Sequence, residues 1–166
     1  MTQHHTATEA TLWDLIKDIK FAMFTTRNAE GTLQARPMTT QNAKLDEENA
    51  LWFFMSRQSE AATDLAASTQ VCVIYADPGK DSWVSVSGEA AVVEDAAKKK
   101  QLWNVMTKAW FPKGIDDPDL ALVRVRIASA SYWNVTENQV VQLLKMAAAV
   151  ITGKPPQMGD HADVKM

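Results

Sequence analysis

Two stretches of the chain, SWVSVSGEAAVV (82–93) and LALVRVRIASASYWNV (120–135), alternate in polarity along most of their length. A period of two places successive side chains on opposite sides of an extended backbone, so each stretch reads as a long strand with one face turned to a core. In the first, Val84, Val86, Ala90 and Val92 share one side, and Ser85, Ser87 and Glu89 share the other. In the second, Val123, Val125 and Ile127 oppose Arg124 and Arg126. Gly88, in mid-strand, marks a bulge or the close approach of another backbone.

Four further extended segments surround these two. FAMFTT (21–26) and TLQARPMTTQ (32–41) flank the turn RNAEG (27–31) and form a hairpin. A polar link, 42–49, leads to LWFFM (51–55), and QVCVIYA (70–76) precedes the turn ADPGKD. Helices are expected at 9–20, with Leu12, Leu15, Ile16 and Ile19 on one face and Thr8 as cap, and at 60–67. A third is expected at 95–110, with Leu102, Trp103 and Met106 as its apolar stripe, followed by the irregular loop FPKGIDDPD (111–119). A last helix at 143–152 is stopped by Gly153, with Pro155 and Pro156 beyond. No repeat or domain boundary interrupts the pattern, so a single domain over 1–153 and a loose tail at 154–166 are expected. Six strands with mostly short connections give a mainly β fold, a small antiparallel barrel with peripheral helices.

Composition excludes several function classes. The chain has 166 residues, 46% apolar and 22% charged, with net charge −3 and a pI near 5.6, which argues against nucleic acid and membrane surfaces as partners. No apolar run approaches the roughly 18 residues of a membrane span, and MTQHHTATEA lacks the features of a secretory signal, so a cytoplasmic protein is expected. The lone cysteine, Cys72, lies in an apolar run and reads as a buried structural thiol. His4, His5 and His161 all sit toward the ends, so a histidine triad or histidine metal centre in the core is not expected. P-loop and GxGxxG patterns are absent.

Three segments carry candidate chemistry. In QARPMTTQ, Pro37 cannot donate to a ladder, which leaves backbone groups free, while Arg36, Thr39, Thr40 and Gln41 add donors; the alternative is a plain edge strand. In MSRQSE, Ser56, Arg57 and Ser59 bring two hydroxyls and a guanidinium to a helix start, a recipe for phosphate; the alternative makes Ser59 an ordinary N-cap. Trp110 and Phe111, beside Pro112, Lys113 and Gly114, are placed to close over a planar ligand or a partner; the alternative is core packing.

In order, LWDLIKDIKFAMFTTR, ARPMTTQ, LWFFMSRQSE, SWVSVSGEA, LWNVMTKAWFPKGIDDPDLALVRV and LLKMAAAVITGKPP resemble the general stress protein branch of the pyridoxamine-phosphate-oxidase-like split barrels. The resemblance runs from about Leu12 to Pro156. It implies a six-stranded antiparallel split β-barrel and a homodimer with flavin mononucleotide at the subunit interface, flavin adenine dinucleotide being the alternative. It further implies that Arg36, Pro37, Met38 and Thr39 meet the isoalloxazine and ribityl, and that Met55, Ser56, Arg57 and Ser59 hold the phosphate. Trp110 and Phe111 would approach the ring. The activity implied is a flavin-dependent oxidoreductase with an unidentified small substrate, or else a non-catalytic flavin-binding stress protein, or a barrel that has lost its ligand. No catalytic residue and no metal ligand is assigned. Two departures from the family pattern stand out. Glu60-Ala61 follows Ser59 where relatives often carry a basic residue, and the arginine-rich C-terminal segment of pyridoxamine-phosphate oxidases is missing, which argues against vitamin B6 oxidation.

Overall fold

The computed structural model describes residues 9–134, 139–156 and 160–165. Its strands are β1 (Ala22–Arg27), β2 (Leu33–Met38), β3 (Ala50–Ser56), β4 (Gln70–Asp77), β5 (Ser82–Val93), β6 (Leu120–Asn134) and β7 (Asp160–Lys165). All pairings are antiparallel, and the strand order is β2-β1-β4-β5-β6-β3, with β7 added beside β6. The first six strands are the expected split barrel. Its two ends are stitched together after β2. The Gln41 amide donates to the Trp52 carbonyl at 2.8 Å, and the Asn42 side chain accepts from Trp52 N and donates to Ala50 O, each at 2.8 Å.

The interior is filled by the alternating faces. Phe24, Phe53, Val73, Tyr75, Val84, Val86, Val123 and Val125 are almost wholly excluded from solvent, with the rings of Phe24 and Phe53 edge to face. Val92, expected on this inner face, is exposed, because β5 runs past the core at its last turn of pleat. A second, smaller cluster lies on the opposite side of β3 and β6, where Ala50, Trp52, Phe54, Leu120 and Leu122 pack with Leu102 and Phe111. This explains why β3 is apolar on both faces: it is sandwiched between the two clusters.

Gly88 serves as a close-approach residue and sits at a bulge. Ser87 pairs with Ser129 but Gly88 pairs with Ile127, leaving Ala128 as an extra residue on β6. A Cβ on Gly88 would lie 2.5 Å from the Arg126 carbonyl oxygen and 2.9 Å from Val125 Cγ1. The extra residue changes which parity faces inward: Val123, Val125 and Ile127 are buried before it, Ala130 and Tyr132 after it.

The helices are α1 (Glu9–Ile16), α2 (Glu60–Ala67), α3 (Ala96–Leu102), α4 (Val105–Trp110) and α5 (Gln139–Thr152), with one 3₁₀ turn at Pro78–Lys80. Helix α1 is shorter than its apolar period predicts, although Leu12 and Ile16 are buried and Leu15 and Ile19 still pack on the core. Thr8, its expected cap, lies outside the described residues, as do His4 and His5. The single helix expected at 95–110 is two. Asn104 leaves the helical path and its side-chain Oδ1 accepts from Met106 N and Thr107 N at 3.0 and 3.1 Å, capping α4. The turn this forces exposes Met106, which was expected in the apolar stripe. Helix α5 starts earlier than expected and ends at Gly153, which takes a φ of 67° that favours glycine. The segment expected to be a loose tail contains β7, anchored by a Ser131–Asp163 hydrogen bond and by Val164, 5% exposed in the main core. None of the helices among the described residues is long and apolar enough to cross a membrane.

The link between β2 and β3 is fastened by Asp46. Its carboxylate accepts from Trp52 Nε1 at 2.8 Å and Lys98 Nζ at 3.1 Å, and the Lys98 ammonium lies 4.9 Å over the Trp52 ring. Burial alone would raise the Asp46 carboxyl. The hydrogen bonds from Trp52, Lys98 and the Ala50 amide, with the Lys98 charge, outweigh it and hold the group below the usual aspartate value.

Two outcomes follow from this packing. Gly88→Ala should lower unfolding stability by about 1–3 kcal/mol, because the obstructing atom is backbone that cannot swing aside; an unchanged urea midpoint would refute the close approach. The depressed Asp46 contributes stability that is fully present above its unfolded value of about 3.9 and is lost as pH falls toward the lower folded value. Asp46→Asn should therefore be less stable than the wild type at neutral pH, with the gap narrowing below about pH 4. Urea melts of both proteins at neutral and acidic pH check this.

Candidate functional site

Strand β3 ends at Ser56 because the backbone turns there into α2, and the turn gathers polar groups around one carboxylate. Ser56 Oγ donates to Asp119 Oδ2 at 2.6 Å, Gln58 N donates to Asp119 Oδ1 at 3.3 Å, and Arg57 N donates to the Asp119 carbonyl at 2.8 Å. Ser59 Oγ donates to Ser56 O at 2.7 Å and accepts from Ala62 N at 3.2 Å, so it caps α2. The Arg57 guanidinium pairs with Glu94 at 2.7 Å on the surface, where Glu94 is 73% exposed and the pair is worth little. Met55 is buried in the main core. The hydroxyls and guanidinium expected to receive a phosphate are thus already partnered within the chain.

The second candidate segment lies on β2, an outer strand of the sheet, as Pro37 requires. Arg36 reaches inward. Its Nη1 donates to Thr26 Oγ1 at 2.6 Å, Thr26 Oγ1 donates to Asp64 Oδ2 at 2.6 Å, and Arg36 Nη2 lies 3.5 Å from the same carboxylate oxygen. Thr26 and Asp64 are buried, so the chain Arg36–Thr26–Asp64 ties β2, β1 and α2 together in low dielectric. Met38 is half-buried against the core, and the Thr39 carbonyl accepts from Gln41 Nε2 at 3.2 Å. Thr40 Oγ1 and Tyr75 OH are 2.5 Å apart; burial pushes the Tyr75 hydroxyl well above its ordinary range, and the Thr40 hydrogen bond opposes this only weakly.

The two aromatic candidates separate. Phe111, expected beside a ligand, is 9% exposed and packs within the second cluster, whereas Trp110, at the end of α4, is 80% exposed. The physical reason is the cap at Asn104, which rotates α4 so that Thr107 and the following Phe111 point inward while Trp110 points out. Other exposed apolar groups fall mainly in two places, along α5 (Leu143, Leu144, Met146, Val150 and Ile151) and on the outer face of the sheet. Met23, Ile74, Trp83 and Trp133 stand on the sheet, with Met23 opposite both Pro37 and Ile74 and Trp83 opposite Trp133, and the exposed Phe21 immediately precedes β1. Cys72 is partly buried and its Sγ lies 3.4 Å from Ser85 Oγ, so it is not the wholly buried thiol expected.

The sequence reading missed Asp119, Asp64, Thr26 and Tyr75. The buried hydroxyl of Thr26 on a core-facing position was a signal, since a buried hydroxyl needs a partner. Asp119 carried none, because its partners lie 61 and 63 residues away. Among the described residues no group of three His, Cys, Asp or Glu side chains is placed to hold a metal ion.

Residues 7–157 match the family described as pyridoxamine 5′-phosphate oxidase like. The chain is 32% identical over 148 residues to Protein bli-3 of Neurospora crassa, covering 82% of this chain and 69% of that protein. Its fold is similar to that of a general stress protein 26 from Jannaschia sp. CCS1, with a TM-score of 0.71, 24% identity, and 93% and 95% of the two chains covered. It is also similar to a general stress FMN/FAD binding protein from Xanthomonas citri, with a TM-score of 0.65, 27% identity, and 80% and 91% covered.

The separation of the two rings is directly measurable. Phe111→Ala should cost about 3–5 kcal/mol of unfolding stability, as for a deleted core aromatic, whereas Trp110→Ala should change it by no more than about 0.5 kcal/mol. Equal losses in chemical denaturation would contradict the placement.

Proposed function

The chain belongs to the pyridoxamine 5′-phosphate oxidase-like family, and from that premise we propose that it is a flavin-binding protein of the general stress type, acting as a cytoplasmic homodimer with the flavin at the interface between the two copies. The observation that carries the reading is the exposed apolar strip that starts next to the outer strand β2 with Met23 on β1 and runs through Ile74, Trp83 and Trp133 on β4, β5 and β6, with Phe21 just before β1. Such a patch is unusual on an isolated monomer and marks an interaction surface. A planar ring needs apolar cover and a few edge hydrogen bonds. The strip supplies the first, and the unpaired edge of β2 around Pro37 supplies the second.

Flavin mononucleotide is the form the family resemblance implies. Its ring fits these residues; its phosphate does not fit the Ser56–Ser59 turn as folded, where the polar side chains are partnered by Asp119, Glu94 and the turn's own backbone. When bound, a flavin would supply the redox chemistry and make the protein an oxidoreductase on a small substrate. One observation favours a second reading, a binder that buffers or senses flavin without turnover. Of the candidate residues only Arg36 and Arg57 are ionisable, and each is already in an ion pair.

Colour separates these readings. Purified protein that is yellow and bleached by reduced nicotinamide acts as an oxidoreductase; yellow and inert protein is a binder. Colourless protein that does not respond to added flavin has lost its ligand and defeats the proposal. Sedimentation should give a dimer at micromolar concentration, and a monomer there would remove the interface on which the site depends.

A further inference from the structure

We propose that Asp119 is a built-in substitute for a ligand phosphate, so that the flavin site does not select for the 5′-phosphate and takes riboflavin about as well as the mononucleotide. The inference rests on the flavin reading above and specifies its ligand. A turn that offers a hydroxyl and backbone amides at the start of a helix is an anion site by construction. Here the anion is the chain's own: Asp119 Oδ2 takes the Ser56 hydroxyl at 2.6 Å and Oδ1 takes the Gln58 amide at 3.3 Å. The carboxylate is held in place from its own side as well. The Asp119 amide donates to Asp117 Oδ1 at 2.9 Å and its carbonyl accepts from Arg57 N at 2.8 Å.

The surrounding charges do not leave room for a second anion. Arg57 is paired with Glu94 at 2.7 Å, and Arg36 with Asp64 at 3.5 Å through a buried network. Glu60 opens α2 one residue after the Ser59 cap, and Ala61 beside it carries no charge. A phosphate brought to this turn would meet Asp119 on the same donors, with Glu60 and Glu94 nearby and no unpaired guanidinium among the candidate residues to offset them. Like charges sharing a site repel, and the incoming dianion would also have to shed water to reach donors that are already bonded. A ring carrying an uncharged ribityl chain meets none of these costs.

The test is a fluorescence titration of the full-length protein, freed of any bound flavin, with riboflavin and with flavin mononucleotide. The wild type should bind the two within about threefold of each other, a difference of well under 1 kcal/mol. Its affinity for the mononucleotide should change little between low and high salt, since no net cation faces the phosphate. Asp119→Asn removes the internal charge and should tighten the mononucleotide about tenfold, the scale of one charge-assisted hydrogen bond, with riboflavin unchanged. A wild type that prefers the mononucleotide by about tenfold or more overturns the inference while leaving the flavin reading standing. So does an Asp119→Asn protein, folded by circular dichroism, whose preference is unmoved. Should that variant not fold, the wild-type ratio and its salt dependence decide alone. Failure of both ligands to bind the wild type removes the flavin reading itself.

Discussion

The barrel depends on one close contact, the approach of Gly88 to the backbone of Arg126. A side chain at residue 88 would collide with the Arg126 carbonyl, so glycine alone lets β5 and β6 come together at this point. The same place carries the extra residue Ala128, and a bulge there bends β6 and reverses which side of it faces the core. Before the bulge β6 gives Val123, Val125 and Ile127 to the interior and pairs with β3; after it, it gives Ala130 and Tyr132 and pairs with β7. Without the extra residue, Trp133 would point inward and the sheet would lose the outer-face aromatic that stands opposite Trp83. One glycine therefore links the packing of the core to the composition of the exposed face.

How far the chain could be read in advance depended on how local each signal was. The alternation in 82–93 and 120–127 gave two strands, and Gly88 announced its contact, because both features are written in consecutive residues. The parity change at Ala128 was hidden, since a bulge is a relation between two strands. The break at Asn104 was hidden for another reason. LWNVMTKAW keeps a helical spacing of apolar residues, and a capping asparagine inside it looks like any polar position until its side-chain Oδ1 is seen on Met106 N and Thr107 N. That break then reversed the reading of Phe111, a core residue, and separated it from Trp110. Residues 160–165 have no strand pattern strong enough to stand out; β7 forms because the outer half of β6 offers an unpaired edge and Val164 finds the core.

At the candidate site the legible part was the set of donors, and the illegible part was what they hold. SRQS does collect hydroxyls, amides and a guanidinium, as its residue types require. Each of those groups finds a partner within the protein, Ser59 locally as the cap of α2 and the others farther along the chain: Ser56 on Asp119, Arg57 on Glu94 and, on β2, Arg36 on Thr26 and Asp64. A donor-rich turn is equally good at gripping a ligand or the protein's own acid, and local sequence does not distinguish them. The buried Thr26–Asp64 pair shows the structural side of the same economy. Leaving either group unpartnered would cost about 1–3 kcal/mol, so the guanidinium of Arg36 is drawn inward to complete it.

This division of labour bears on where binding free energy can come from. Polar groups that are already satisfied gain little by exchanging one partner for another, because the bond made is offset by the bond broken. The unspent resource is apolar: Phe21, Met23, Ile74, Trp83, Trp133 and the nearly bare indole of Trp110 all retain contact with water. Covering such groups yields roughly 25 cal/mol for each Å² removed from solvent, so an aromatic ring or a second apolar face is rewarded there and a charged one is not. In the proposed dimer a flat ring lying between two copies would be covered on both sides. The affinity would then be set by the quality of that sandwich, and the acid at residue 119 would serve the fold by keeping the β3–α2 turn closed whether or not a ligand is present.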